Sequence, residues 1–310
     1  MFGRVGAIAW NSYREAVRAR ILHGLFALAV ATSLYAIVVG KYTSKNSLRV
    51  ISDVGGFSIS VYAIVVAIVL GATSLYREVE LKTLFPILAR PIRRGEYLAG
   101  KYLGTLLTLG VFMAANAGVL LFCLAFLSAE NPWLATGSLV GVTALVGVVG
   151  LLVSASRTAL PLLWGLMLLA TGYWLSDGAI DDRRVVLAAA ALSLLEVCII
   201  TALANVFAAF SSPFLTAVFT FGVVLVGRSA ETLASLPARM FGQVIHEIGG
   251  LLSQVVPNLM IYVPPRPLLT GETPEVLLSD YLVSAGLQSL GWSLGLLIVA
   301  GLVFQKRDFV

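Results

Sequence analysis

Long apolar runs constrain this chain more than any other feature. Stretches near 21–40, 57–76, 98–128, 134–153, 159–176, 185–210 and 282–304 carry almost no charge. Each approaches or exceeds the ~20 residues a helix needs to cross a bilayer. An eighth run, 214–227, is shorter. At ~1.5 Å per residue it barely spans ~30 Å of hydrocarbon, so it is expected to tilt, thin the bilayer or re-enter. Only 12% of the residues are charged, against about 25% in soluble domains. The mean hydropathy is +0.94. In lipid each span must satisfy its own backbone hydrogen bonds, which selects helices over isolated strands. The expected fold is an all-α polytopic membrane protein with six to eight transmembrane helices, forming a single transmembrane domain over 1–310.

The connections give the runs an order. Residues 7–20 read as an interfacial amphipathic helix, with Ile8, Trp10, Tyr13 and Val17 on one side and Arg14, Arg18 and Arg20 on the other. These first 20 residues are too polar for a cleavable signal peptide. Residues 41–56 read as a polar loop. The runs 134–153 and 159–176, joined by Ser-Ala-Ser-Arg-Thr, read as a tight helical hairpin. Residues 229–281 form the longest polar segment. Within it Met240, Val244, Ile248, Leu251 and Val255 recur at helical spacing and predict a helix lying on the membrane. Pro257, Pro264, Pro265 and Pro267 then forbid a continuous helix.

Charge sets the orientation. With the N-terminus in the cytoplasm and eight spans, thirteen of the 21 basic residues fall on the cytoplasmic side. Most of the loop acids fall on the other. The positive-inside rule favours this topology, with both termini cytoplasmic. The net charge of +5 comes from loops beside spans rather than from a basic domain, so nucleic acid is not an expected partner, whereas membrane lipids are.

Catalytic constellations are missing from the sequence. The two histidines, His23 and His246, lie on opposite sides of the proposed membrane. There is no HExxH, CxxC or Walker-type GxxxxGK[ST] motif. No catalytic residue, metal or cofactor is expected on this chain. Cys123 and Cys198 fall inside apolar runs and read as buried free thiols. Glu196 is the one acid placed well inside a span, where ionisable groups are costly and often functional. Asn116 in the third span could bond across helices. Asn205 lies on roughly the opposite face from Glu196. The pairs Gly100/Gly104, Gly137/Gly141 and Gly291/Gly295 suit close helix packing.

The most informative connection is 78–104. Arg77, Lys82, Arg90, Arg93, Arg94 and Lys101 lie in or beside it, and Pro91 must end or bend any helix there. Glu78, Glu80, Lys82 and Thr83 would begin a short docking helix. Leu84, Phe85 and Leu88 would supply an apolar anchor. Arg90, Pro91, Arg93, Arg94 and Glu96 would form a rigid, charged exit that sets register against a soluble partner.

The order Glu78-x-Glu80-x-x-Thr83, then Leu-Ala-Arg90-Pro91-Ile-Arg93-Arg94, then Glu96-Tyr-Leu-x-Gly100-Lys101-Tyr-Leu-Gly104 resembles permease subunits of ABC-2 type (type V) transporters. The interfacial helix ending in Arg18-Ala-Arg20 is similar to that family's elbow helix (1–20). Leu195-Glu196, the stretch Ala208-Ala-Phe-Ser-Ser-Pro213-Phe214 and the basic tail are also similar. The hairpin 134–176 departs from the usual six-span plan as an insertion.

The resemblance implies half of an ATP-driven export channel in a bacterial inner membrane. Its implied partners are two copies of an ABC ATPase subunit, which would hold ATP and magnesium, and a second copy of this or a related permease. It makes 77–97 the coupling-helix region, while the charge-derived topology makes 229–281 an extracytoplasmic segment available to a periplasmic partner. Two rival readings share the sequence: an ATPase-independent channel or secondary transporter using Glu196, and a mechanotransmitting membrane scaffold. Similar permeases move lipids, drugs, peptides, polysaccharides, and sulfur or copper cargo.

Overall fold

A computed structural model of the chain describes residues 2–43, 46–80, 94–128, 132–153, 158–235, 256–272 and 277–306, together with Glu247 and Gly250. These residues form ten α-helices and no strand. In chain order they are α1 (Phe2–Val17), α2 (Arg20–Tyr42), α3 (Ser47–Glu80), α4 (Arg94–Ser128), α5 (Pro132–Leu152), α6 (Leu160–Leu175), α7 (Ile180–Ala208), α8 (Pro213–Ser235), α9 (Arg266–Thr270) and α10 (Leu278–Lys306). Among them α2, α3, α4, α5, α7 and α10 are long and apolar enough to cross a membrane, while α6 and α8 are shorter apolar helices. The all-α polytopic expectation holds. The membrane side carrying α1 is called the near side below.

Several boundaries differ from the sequence reading, each for a packing reason. The loop expected over 41–56 is mostly helix, because α3 already starts at Ser47. Ile51 is fully buried and packs toward Gly40, where a β-carbon would lie 3.3 Å from its side chain. The short run 214–227 is only the apolar part of a 23-residue helix, α8. Glu78 and Glu80 continue α3 rather than opening a separate helix. Lys82, Thr83, Leu84, Phe85, Leu88, Arg90, Pro91 and Arg93 lie outside the described residues. So does the helix expected around Met240–Val255, apart from Glu247 and Gly250.

Helices α3, α4 and α7 form the centre. In their most apolar windows 67%, 83% and 61% of residues are buried, against 17%, 17% and 22% for α2, α5 and α10. The outer helices turn Leu28, Val38, Leu145, Leu287, Leu294 and other apolar side chains outward, as lipid-facing helices do. Lipid tails are as apolar as these side chains, so burial alone does not hold such helices together. Close packing and interhelical hydrogen bonds do.

The central contact shows this. Helices α3 and α7 run parallel, with Gly56 beside Ala189 and Gly71 beside Ala204. A β-carbon on Gly71 would fall 2.4 Å from that of Ala204, closer than two carbons can sit. The expected hairpin α5–α6 docks by the same device. Gly118 approaches the Leu168 backbone, and Gly172 approaches the Gly118 carbonyl. The glycine pairs singled out from sequence divide. Gly100 and Gly104 press against Ile8 and Ala9 of α1, whereas Gly137, Gly141, Gly291 and Gly295 meet nothing within 4 Å. For those last two pairs the expected packing is not made within the described chain. Spacing says nothing about which face of a helix a neighbour covers.

Helix α1 is fastened to the start of α4. Tyr13 is fully buried and Lys101 is 3% exposed. The Lys101 ammonium donates to Glu15 at 3.4 Å. Lys101 is therefore an anchor for α1 rather than a free charge of the connection. Desolvation raises the pKa of the Tyr13 phenol, so its hydroxyl stays neutral.

Candidate functional site

The spacing of α7 puts Ser193, Glu196 and Ile200 on one buried stripe. Glu196 is 0% exposed and lies ~24 Å along α7 from its far-side end. No lipid or packed apolar wall can solvate a carboxylate, so a buried acid must be paired or neutralised. Its partner is Arg228 of α8. Arg228 Nε donates to Glu196 Oε1 at 2.8 Å, and Nη2 donates to Oε2 at 2.8 Å. This is the bidentate geometry that suits guanidinium to carboxylate. Ser60 of α3 completes the group. Its Oγ accepts from Arg228 Nη2 at 2.7 Å and donates to Glu196 Oε2 at 3.4 Å. Three helices meet at one polar knot.

Other interhelical bonds brace α7 at the same level. Ser289 of α10 donates to the Leu195 carbonyl at 2.7 Å. Tyr102 of α4 donates to the Cys198 carbonyl at 3.2 Å.

A second polar tier caps the first from the far side. Arg266 opens the short helix α9 after Pro264-Pro265, whose fixed φ angles stiffen the approach. Its guanidinium donates to Asp53 of α3, to Asp182 of α7, and to Ser52 Oγ at 2.9 Å. Ser52 donates in turn to Asp182 at 2.7 Å. Burial works against the Arg266 charge. The hydrogen bonds from Asp182 and Asp53 more than offset it, so its pKa lies above the ordinary arginine value. The segment leading to Arg266 lies against α8. Leu259 N–H donates to the Gly227 carbonyl at 3.0 Å, and a β-carbon on Gly227 would lie 2.8 Å from the Pro257 oxygen. Tyr262 ties the same segment to α10 through the Ala285 carbonyl. Between the two tiers lies a cavity of about 180 Å³, lined by Ser52, Ser60, Ser193, Arg228, Tyr262 and Arg266 among others.

Of the polar residues expected inside spans, only Glu196 belongs to this site. Asn116 donates to the Phe112 carbonyl of its own helix at 2.9 Å and bonds across to no other helix among the described residues. Asn205 is 4% exposed, and its amide nitrogen has no hydrogen-bond partner among the described residues. Of the charged block, Arg94 donates to the Phe304 carbonyl at 3.2 Å, and Tyr97 stacks on the Phe304 ring. This joins the start of α4 to the end of α10. Glu96, between Arg94 and Tyr97 in the first turn of α4, is half-buried.

Sequence reading missed Arg228. Counted as a loop residue on the far side, it stands just after Gly227, where the apolar run ends. The helix, however, continues to Ser235, and this draws Arg228 to the level of Glu196. The available signal was an apolar run too short to cross a membrane, immediately followed by one basic residue. The run's shortness is accounted for once Arg228 is part of the span and neutralised by Glu196.

The family model described as ABC-2 family transporter protein matches residues 6–309 of the chain. No curated relative matches it.

Proposed function

Since this chain belongs to the ABC-2 transporter family, and so is a multi-pass transport component of the membrane, we propose that it is the permease subunit of an ATP-driven exporter. Two copies work with two separate ATPase chains, which hold the ATP and magnesium. The observation that carries this reading is the length of the two helices flanking residues 81–93. Helices α3 and α4 have 34 and 35 residues. At ~1.5 Å per residue each is ~50 Å long, well beyond ~30 Å of hydrocarbon. Both are central and packed, so a push on the connection at their near-side ends travels along rigid rods to the core. The charges from Glu78 to Glu96 give a soluble partner register at that connection.

The polar knot is the element such a push would bias. ATP binding in the partner favours one conformation by contacting it better than the other. Sliding α3 against α7 and α8 would separate Ser60, Glu196 and Arg228, then open the cavity beneath Arg266 toward the far side. The bidentate clamp on Glu196 favours this latch over a carrier that loads and unloads a proton, because a proton carrier needs its carboxylate free. The distribution of basic residues supports the near side as the cytoplasmic one, and the likeness to ABC-2 permeases supports a bacterial inner membrane.

The test is native mass spectrometry of the complex purified in mild detergent, for the wild type and for R90E/R93E. The expected result is two permease and two ATPase chains in the wild type, and permease chains without ATPase in the variant. A wild-type chain that carries no ATPase and moves solute in liposomes without ATP would overturn the reading.

A further inference from the structure

A second cavity lies on the near side, at the joint between α1 and α2. Its volume is about 960 Å³. Arg14, Arg18 and Arg20 line it with Asn11, Ser12 and Ser74, and Ile21, Val69 and Leu70 form its apolar part. All three arginines are exposed, and none has an ion-pair partner among the described residues. Glu15, the acid in the lining, is held by Lys101. The cavity is thus strongly cationic.

Two independent features mark it as built for an anion. The first is the start of α2. The chain turns at Ala19, which is extended and offers no side-chain cap, and the first turn of α2 holds no acid. A helix start with open N–H groups attracts an anion. Here it carries Arg20 instead of an acid, so the positive end of the helix dipole is reinforced. The second is Ser12. It is 6% exposed, it lines the cavity, and its hydroxyl has no hydrogen-bond partner. A buried hydroxyl left unmatched costs free energy, and a turn of the side chain toward the cavity would let a ligand oxygen satisfy it.

We propose that this cavity binds the phosphate of an anionic phospholipid from the near-side leaflet. The arginines and the start of α2 would take the phosphate, while Ile21, Val69 and Leu70 would lie along the first carbons of the acyl chains. A soluble phosphate compound offers the same anion but has nothing to place against that apolar part. The joint between α1 and α2 would then be set partly by lipid, and the interfacial helix would lie at a defined angle only in membranes rich in anionic lipid.

The experiment uses the full chain with any partner chains that co-purify, stripped of lipid and titrated with phosphatidylglycerol or phosphatidylcholine under native mass spectrometry. The wild type should retain phosphatidylglycerol in clear preference to phosphatidylcholine. R14A/R18A/R20A should lose that preference by at least about tenfold, since each near-surface arginine contributes on the order of fivefold toward anionic lipid. R18Q alters an exposed residue of the joint and guards against a folding failure of the triple variant; it should lose about fivefold. R184A, on the far side, should bind as the wild type. Equal retention of the two lipids, or unchanged binding by R18Q, would overturn the proposal. Displacement of phosphatidylglycerol by glycerol phosphate at equal concentration would also overturn it, by making the site one for soluble phosphate.

Discussion

Arg228 and Glu196 face each other through two parallel hydrogen bonds of 2.8 Å each, in the middle of the helix bundle. They come from α8 and α7, and Ser60 of α3 touches both. A pair of this kind adds little net stability over a well-packed apolar pair, yet it is costly to break from one side.

The first prediction concerns that asymmetry. E196L or R228M alone leaves one buried charge without its partner and should lower stability by about 3–5 kcal/mol. The double variant E196L/R228M should recover most of the loss. Thermal unfolding in detergent, followed on the four proteins of the cycle, gives the coupling. A loss in the double variant equal to the sum of the two single losses would mean that the pair is not coupled.

The second concerns the close approach of α3 and α7. Gly71→Val puts a side chain into a gap that has no room for even one carbon. The cost of overpacking is about 1–3 kcal/mol or more. Gly291→Val, where nothing lies within 4 Å, should leave the melting temperature of the purified chain unchanged. A comparable loss in both variants would mean that glycine matters through helix flexibility and not through this contact.

The third concerns the cap. Arg266 holds α9 over the ends of α3 and α7 through Asp53, Asp182 and Ser52. R266A should free the segment over the inner cavity. A cysteine placed at Ser193, in a background lacking Cys123 and Cys198, should then react faster with a polar maleimide added from the far side. An unchanged labelling rate would mean that Leu259 and Tyr262 suffice to keep the cap closed.

Much of the fold was legible because the bilayer imposes a length. Runs of apolar residues gave the helices, and the charged block marked the connection between two of them, although its start reads as a separate helix where α3 in fact continues to Glu80. The hairpin α5–α6 was legible for the same reason. Ends of helices were less so. Ser47–Gly56 reads as polar loop until Ile51 is seen packing beside Gly40, and the apolar count stops α8 at Gly227 although its backbone continues. Of the site, Glu196 was visible as an acid out of place. Its partner was not, because Arg228 looked like an ordinary basic residue at a membrane edge.

The sequence by itself determined that the chain must be a bundle of membrane helices, with an amphipathic helix at its start and a charged connection between its second and third spans. Those are one-dimensional facts, settled by hydrophobic length and by charge. Only the tertiary structure decided which helices occupy the centre, that Glu196 is neutralised by an arginine from another helix, and that Arg266 closes the cavity above them. Such pairings depend on the rotation and depth of each helix. In lipid these follow from close contacts such as Gly71 with Ala204, since burial against hydrocarbon favours no one face over another.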